Sequence, residues 1–569
     1  MKKYRIFAFL LIFLLICSSL ITPFALENEG GSWTGGCTNI LVGKEASVDG
    51  SVIGSYSCDG AIYAKTVVIP GATHKKDATI PIYFKPYPNN YSQYLDAFDK
   101  EVKLGEIPQV AETYRCIVNL VYYDEQNCGG LNEYGVCIGE TTISGNRALR
   151  NPNGWMYAYS NYPESSLMVL GLQRAKTARE AVKIIGSLAE KYGYAQSGEH
   201  LTISDKNEVW AMEIFGAGSQ WTPESGKPGA VWAAKRVPDG EIALSANSSR
   251  IGLIESVVED GEDFMNSSNT FTLAKELGLW TEGTPFIWFE VYGNRRDEIS
   301  VREWSIINKF APSLNAKPGD PIIFSFKPDK KVSVQDVMKM YRDYLNDTDM
   351  DPTLDEAYRL PNGSISPMAS PFGPSALHAL LGINPTRAVA TRTSVFTYVT
   401  QHKDWLPDPV GTCMWYTPGP AMTGCFTPIY AGTTELPDSW TYTPKTYVDR
   451  NSAWWAFTMV DGLSLIEWQN AIVDIKKVRD AAEAKFLEDQ DEVESNVLSL
   501  YGNGSGKPDK KIKQSDMAAE KYLTKYTCKN LESVADAYWD LVDYLMFKYY
   551  FRSGKSIPIT APVVHTFFE

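Results

Sequence analysis

Histidine is scarce in this chain. Five occur among 569 residues, His74, His200, His378, His402 and His565. None forms an HExxH motif or a close pair, so a zinc hydrolase has no ligand set, and no metal or other cofactor is expected. No CxxC pair exists either. The G-x-S-x-G elbow of the serine hydrolases is missing: around Ser505 its glycine positions hold Asn503 and Lys507. The nearby GSGK fails as a phosphate loop, with Tyr501 at the first glycine position and Pro508 after the lysine. The acidic run 346–356 fails as a calcium loop, since Pro352 and Tyr358 stand where Gly and Glu are needed, and it reads as a capped acidic turn. Lys and Arg total 54 against 68 Asp and Glu, a net charge of −14 with no basic cluster to offset it, so nucleic acid is not an expected partner.

Long apolar runs are also missing, apart from one at the N-terminus. Residues 1–25 read as a basic MKKYR, a run of about a dozen apolar residues, and a small residue, Ala25, at the expected cut. The run falls short of the ~20 residues that span a bilayer. These features predict a cleaved signal peptide, no stable membrane span, and export to the cell envelope or the medium. Removing Cys17 with the signal leaves eight of the nine cysteines. Cys413 with Cys425, or a pair among Cys116, Cys128 and Cys137, could form bridges in an oxidising compartment, with connectivity left open.

The hydrophobic fraction of 44% and charged fraction of 21% are those of a globular chain. From Cys37 to about Gly261 the pattern is α+β. Strand-like runs such as CTNILVG, SVIGSYS, CIVNLVYY, GVCIGET and EVWAMEIF surround one clear helix at 178–192. That helix has Thr177 and Glu180 as a capping box, an apolar face of Val182, Ile184, Ile185, Leu188 and Ala189, and Gly193 as its stop. Residues 262–460 are loop-rich and aromatic, with a further helix near 333–345. Segments 464–500 and 515–551 predict a helical hairpin joined by the flexible, basic GNGSGKPDKK.

The segment that carries chemistry is CTNILVGKEASVDGSVIGSYSCD, residues 37–59. Two strands flank Asp49-Gly50, a hairpin signal, and a hairpin centred near residue 48 sets Asp59 opposite Cys37. This segment resembles the opening of the C69 peptidases, the dipeptidase A and secernin-like family of N-terminal nucleophile hydrolases. NEYGVCIGET (132–141), DKNEVWAMEI (205–214), VWAAKRVPDGEIALSANSSRI (231–251), VREWSIINKFAPS (301–313), GTCMWYTPGPAMTGCFTPIYAG (411–432) and SAWWAF (452–457) continue the resemblance in order. It covers roughly residues 37–460.

The resemblance implies a propeptide at 26–36 and a catalytic domain at 37–460 with the four-layer αββα sandwich of N-terminal nucleophile hydrolases; the helical patterning beyond it makes 461–569 a helical C-terminal extension. The resemblance also implies a mature enzyme that begins at Cys37, whose α-amine is the base for its own thiol. Reference pKa values of about 7.7–8.0 and 8.5 let the two share a proton near neutrality, so no triad histidine is needed. By analogy with the choloylglycine-type relatives, Asp59 orients the Cys37 amine or thiol. Asn132 donates to the tetrahedral oxyanion, Asn247 contacts the amine or the scissile carbonyl, and Arg302 balances charge. The function implied is an exported cysteine-type dipeptidase acting on dipeptides or short peptides, with a homo-oligomer possible. An amidase for non-peptide acyl amides, of the penicillin V or bile-salt hydrolase type, and a non-catalytic secernin-like envelope protein are the alternatives.

Overall fold

The computed structural model describes residues 36–60, 63–84, 102–121, 126–160, 162–293, 298–502 and 508–551. The expected signal peptide and all but the last residue of the expected propeptide lie outside the described residues. Two large antiparallel sheets dominate. One has seven strands in the order Ser325–Phe326, Ile242–Ser245, Asn39–Val42, Val52–Asp59, Ser394–His402, Thr412–Pro418, Thr427–Tyr430. The other has eight, in the order Phe264–Asn266, Ala230–Arg236, Val209–Gly216, Glu199–Ser204, Cys137–Thr142, Gln126–Asn132, Cys116–Val121, Ala64–Ile69. The strand Val52–Asp59 packs across Cys137–Thr142 and Glu199–Ser204 of the second sheet.

The space between the sheets is unusually polar for a buried layer. Asn39 Nδ2 donates to Thr202 Oγ1 at 2.7 Å, the Tyr398 hydroxyl donates to the Ile138 carbonyl at 2.9 Å, and the Thr141 and Ser245 hydroxyls meet at 2.5 Å. Burial without partners would cost about 1–3 kcal/mol per group, so these pairings fix how the two sheets align.

Helices cover the outer faces. Leu167–Arg174 and Ala178–Tyr192 pack on the eight-stranded sheet and share its apolar cluster. The second of these helices buries Val182, Ile185 and Ala189, while Ile184 and Leu188 are half-buried at its edge. Thr177 caps it through the Glu180 amide, and Gly193, at φ +77°, ends it. The reciprocal half of the expected capping box is displaced: the Glu180 carboxylate accepts from Lys176 N, one residue before the cap, at 2.8 Å.

On the seven-stranded sheet lie Ala453–Ser464, Trp468–Gly502 and Pro508–Leu545, whose buried side chains join the cluster that contains Ile40, Ile53 and Cys37. The long helical pair is thus part of the core, and helix Ala453–Ser464 runs across the boundary placed at 460. The second long helix begins at Pro508, inside the stretch expected to be linker, because proline suits a helix's first turn. Among the described residues no helix is long and apolar enough to cross a membrane. The bridges allowed by cysteine spacing do not form. All eight described cysteines are free, and seven of them are buried as small apolar side chains.

Candidate active site

Cys37 leads into the strand Asn39–Val42, which lies inside its sheet between Ile242–Ser245 and Val52–Asp59. The hairpin register differs from expectation by one residue. Val42 pairs with Ile53 and Thr38 with Ser57, which sets Cys58, not Asp59, across from Cys37. The loop 43–51 is the cause. Ala46 N bonds to the Gly43 and Asp239 carbonyls, and Asp49 accepts from Ser51 N and Oγ, so the connection is not the symmetric turn around Asp49-Gly50. Side chains alternate along a strand, so Tyr56 and Cys58 share one face of Val52–Asp59 and Asp59 turns to the other.

Asp59 is buried and pairs with the Arg387 guanidinium, and Ser394 Oγ donates to it at 2.8 Å. Burial pushes its carboxyl pKa up, against the pull of Arg387 and the Ser394 hydroxyl. Arg387 Nη2 also donates to the Gly36 carbonyl oxygen at 2.9 Å. Asp59 thus reaches the 36–37 peptide through Arg387 rather than by touching Cys37. Arg387 carries no motif in the sequence and lies 328 positions from Asp59, so pattern reading alone passed over it.

Arg302 is the residue to which the resemblance gave the charge-balancing role. It sits in the first turn of helix Val301–Phe310, which Ser300 and Glu303 lock with a complete capping box. Glu303 also pairs with the buried Arg250. Arg302 Nη1 donates to the Cys37 carbonyl at 3.0 Å and Thr38 Oγ1 at 3.3 Å, while Nη2 donates to the Ala246 carbonyl at 2.6 Å and Asn247 Oδ1 at 2.9 Å. Burial, together with Arg387 nearby, pulls its pKa down to about 10, which still leaves it charged near neutrality.

Asn247 lies two residues past the strand Ile242–Ser245, whose Asn39–Ser245 pairing brings it level with Cys37. Its φ of +63° is left-handed, a conformation asparagine tolerates better than most residues. Nδ2 is held by the Thr142 carbonyl at 2.9 Å, so Oδ1 is the atom turned toward Gly36. A Cβ added at Gly36 would come within 2.8 Å of that oxygen and 3.0 Å of Arg302 Nη1. Glycine is what this narrow passage admits.

Asn132 stands apart from the group. Its amide nitrogen donates to the Leu172 and Ala175 carbonyls at 2.8 Å each, and its oxygen accepts from Tyr134 N and Val136 N. Both N–H donors tie the NEYG turn to the end of helix Leu167–Arg174. In this arrangement both N–H donors are engaged, and neither is turned to the oxyanion role that the resemblance implies.

The Cys37 thiol points between the sheets. It donates to Glu140 Oε1 at 3.6 Å, with the Tyr56 hydroxyl 3.8 Å from the sulfur. Tyr56 itself donates to the same Glu140 oxygen at 2.5 Å. The Cys58 thiol beside it, burial and the Glu140 charge hold the Cys37 thiol well above its ordinary pKa. Glu140 lies within the quoted NEYGVCIGET, but in the sequence it read only as part of a strand. Among the described residues no histidine contacts Cys37, and His402, packed against Ser204, Thr400 and Thr412, is pulled by burial to about 3 and stays neutral.

A buried thiol, two arginines and an asparagine oxygen thus converge on one glycyl-cysteinyl peptide. The sequence profile of peptidase family C69 matches residues 36–481, beginning at that glycine. The chain belongs to peptidase family C69. Among its relatives, a probable dipeptidase of Latilactobacillus sakei is 23% identical over 80% of this chain and 88% of its own length. Dipeptidase A of Lactobacillus helveticus is 24% identical over 72% of this chain and 78% of its own. A probable dipeptidase of Salmonella dublin is 28% identical over 56% of this chain and 68% of its own.

Proposed function

We propose that this C69 peptidase is an exported cysteine-type dipeptidase of the N-terminal nucleophile class, made active by a cut between Gly36 and Cys37. Two stacked antiparallel sheets with helices on both outer faces support the αββα sandwich of that class. The observation that carries the reading is the seat of the 36–37 peptide. Arg387 donates to the carbonyl that would be attacked, and Arg302 with Asn247 lines the space beside it.

Once residues 26–36 leave, the Cys37 amine becomes free and takes the thiol proton. The thiolate attacks the carbonyl of a short peptide lying where Gly36 lay. The oxyanion forms toward Arg387, a donor of the kind worth ~3–4 kcal/mol in other hydrolases. The leaving amine takes the proton back, and water then releases the acyl group from the thioester. Because a Cβ at position 36 would come within 2.8 Å of Asn247 Oδ1, the acyl residue entering the seat is small or reaches past Asn247. The relatives' dipeptidase names support peptides over other amides.

The test incubates purified protein with a dipeptide panel and an acyl-amide panel, with and without a thiol alkylator. Dipeptide hydrolysis abolished by alkylation is the expected result. Alkylation-sensitive turnover confined to acyl amides would replace the peptide reading, and alkylation-resistant turnover would remove Cys37.

A further inference from the structure

The mature mechanism uses the α-amine as base, yet that amine does not exist before the cut. In the uncut chain the Cys37 nitrogen is an amide, and its thiol is neutral and held well above its ordinary pKa. The first cleavage therefore needs a base from elsewhere, and no described histidine is in reach. One group is in place.

Glu140 lies on the strand Cys137–Thr142, and Glu199 faces Thr142 across the neighbouring strand, so the two carboxyls are diagonal neighbours on one face. Both are almost completely buried, at 2% and 0% exposure. Glu140 Oε1 accepts from both the Cys37 thiol and the Tyr56 hydroxyl, while the Glu140 and Glu199 carboxyls interact with each other and with Thr142. The other titratable groups facing the pair are Cys58, Cys128, Tyr194 and Tyr398, all neutral at physiological pH. Two carboxylates in such a setting do not both ionise. Burial raises both; the Glu140 charge pushes Glu199 up further, whereas Glu199 and the Tyr56 and Cys37 donors ease Glu140, so Glu199 keeps its proton and Glu140 carries the charge.

We propose that Glu140 is the base for the maturation cut, a role resting on the N-terminal nucleophile reading above. Glu140 Oε1 takes the Cys37 thiol proton. The sulfur bonds to the Gly36 carbonyl carbon, closing a five-membered ring, and the carbonyl electron pair moves onto the oxygen that Arg387 contacts. The C–N bond then breaks, the nitrogen takes the proton back from Glu140, and the α-amine appears. The resulting thioester is hydrolysed by water to a Gly36 carboxylate and a free thiol. Glu140 ends as it began.

The test follows cleavage of the full chain after cell-free synthesis, by intact mass, from pH 5 to 9. Wild type should lose everything through Gly36 at a rate that rises with pH and levels off once Glu140 is ionised. Glu140→Gln should slow the cut by about 10²-fold or more and replace the plateau with an unbroken rise, because only spontaneous thiolate then reacts. Glu140→Asp should restore part of the rate and its plateau, which a purely structural role would not predict. Thermal melting of each uncut chain separates misfolding from lost chemistry. If Glu140→Gln does not fold, the wild-type plateau and partial rescue by Asp decide. Wild type cut at 36–37 with Glu140→Gln matching its rate and profile overturns the role of Glu140 alone. Wild type left uncut overturns the reading on which that role rests.

Discussion

Arg387 joins the buried Asp59 carboxylate to the Gly36 carbonyl, donating to both from the same guanidinium nitrogen, with the carbonyl at 2.9 Å. The carboxylate fixes the direction of the guanidinium. In the proposed cleavage the peptide oxygen therefore meets a donor already in position rather than one that must reorganise. Charge, aim and target lie on three separate parts of the chain, and only the folded sheet brings them together.

Arg387→Met should consequently damage two properties at once. Cleavage at 36–37, followed by intact mass, should slow by about 10²–10³-fold, the usual loss for one oxyanion donor. Asp59 would also lose its cation and take up a proton instead, so the variant's thermal midpoint should fall further below wild type at pH 8 than at pH 5. A variant cleaved at the wild-type rate would show that Arg387 holds Asp59 and nothing more.

Asn132→Ala is expected to be a stability variant. It removes four hydrogen bonds from a buried turn and leaves the Leu172 and Ala175 carbonyls without donors, a change of about 2–4 kcal/mol. Chemical denaturation should read that loss, while kcat of the folded protein stays within about tenfold of wild type. A 10²-fold fall in kcat at unchanged stability would return Asn132 to the chemistry.

These cases show what was legible in the sequence. The Cys37 hairpin, helix Ala178–Tyr192 and the long helical pair follow from local patterning, which does not need tertiary information. The register at Cys37 does not, because the loop 43–51 takes its shape from Asp239, almost 200 residues away. Asn132 sat in a motif whose residue types suit either a turn or an oxyanion donor, and only its partners distinguish them. Glu140 was hidden by alternation: in a strand, a carboxylate flanked by Gly139 and Thr141 reads as solvent-facing until a second sheet covers it. Asn247 and Arg302 were reached through resemblance, not patterning; a left-handed turn and a capped helix start bring them beside Gly36.

The buried carboxyl pair should also leave a signature in stability against pH. Both groups have folded-state pKa values above those of an unfolded chain. As pH rises from the ordinary carboxylate range, the unfolded chain releases protons that the folded one still binds. Stability is therefore full at acid pH, as far as this pair is concerned, and declines as pH rises toward the folded-state values. Glu199→Gln removes the more strongly raised group, so unfolding free energy measured in urea between pH 5 and 8 should fall less steeply than in wild type. An unchanged slope would mean that Glu199 is charged in the folded protein.

Gly36→Ala offers the cleanest separation of maturation from turnover. The added methyl would press on Asn247 Oδ1 at 2.8 Å and Arg302 Nη1 at 3.0 Å. Neither atom retreats easily, since Asn247 is tethered to the Thr142 carbonyl and Arg302 to those of Cys37 and Ala246. The reacting carbonyl would be displaced from Arg387, and a misplacement of this size is enough to slow an intramolecular attack by about 10²-fold. If the chain is cut as proposed, residue 36 is then gone and the mature chain is identical to wild type. Precursor should therefore accumulate in pulse-labelled Gly36→Ala, while fully processed enzyme isolated from it shows wild-type kcat and KM. Processing at an undiminished rate would mean that the seat around Gly36 yields, and that its shape does not control the cleavage.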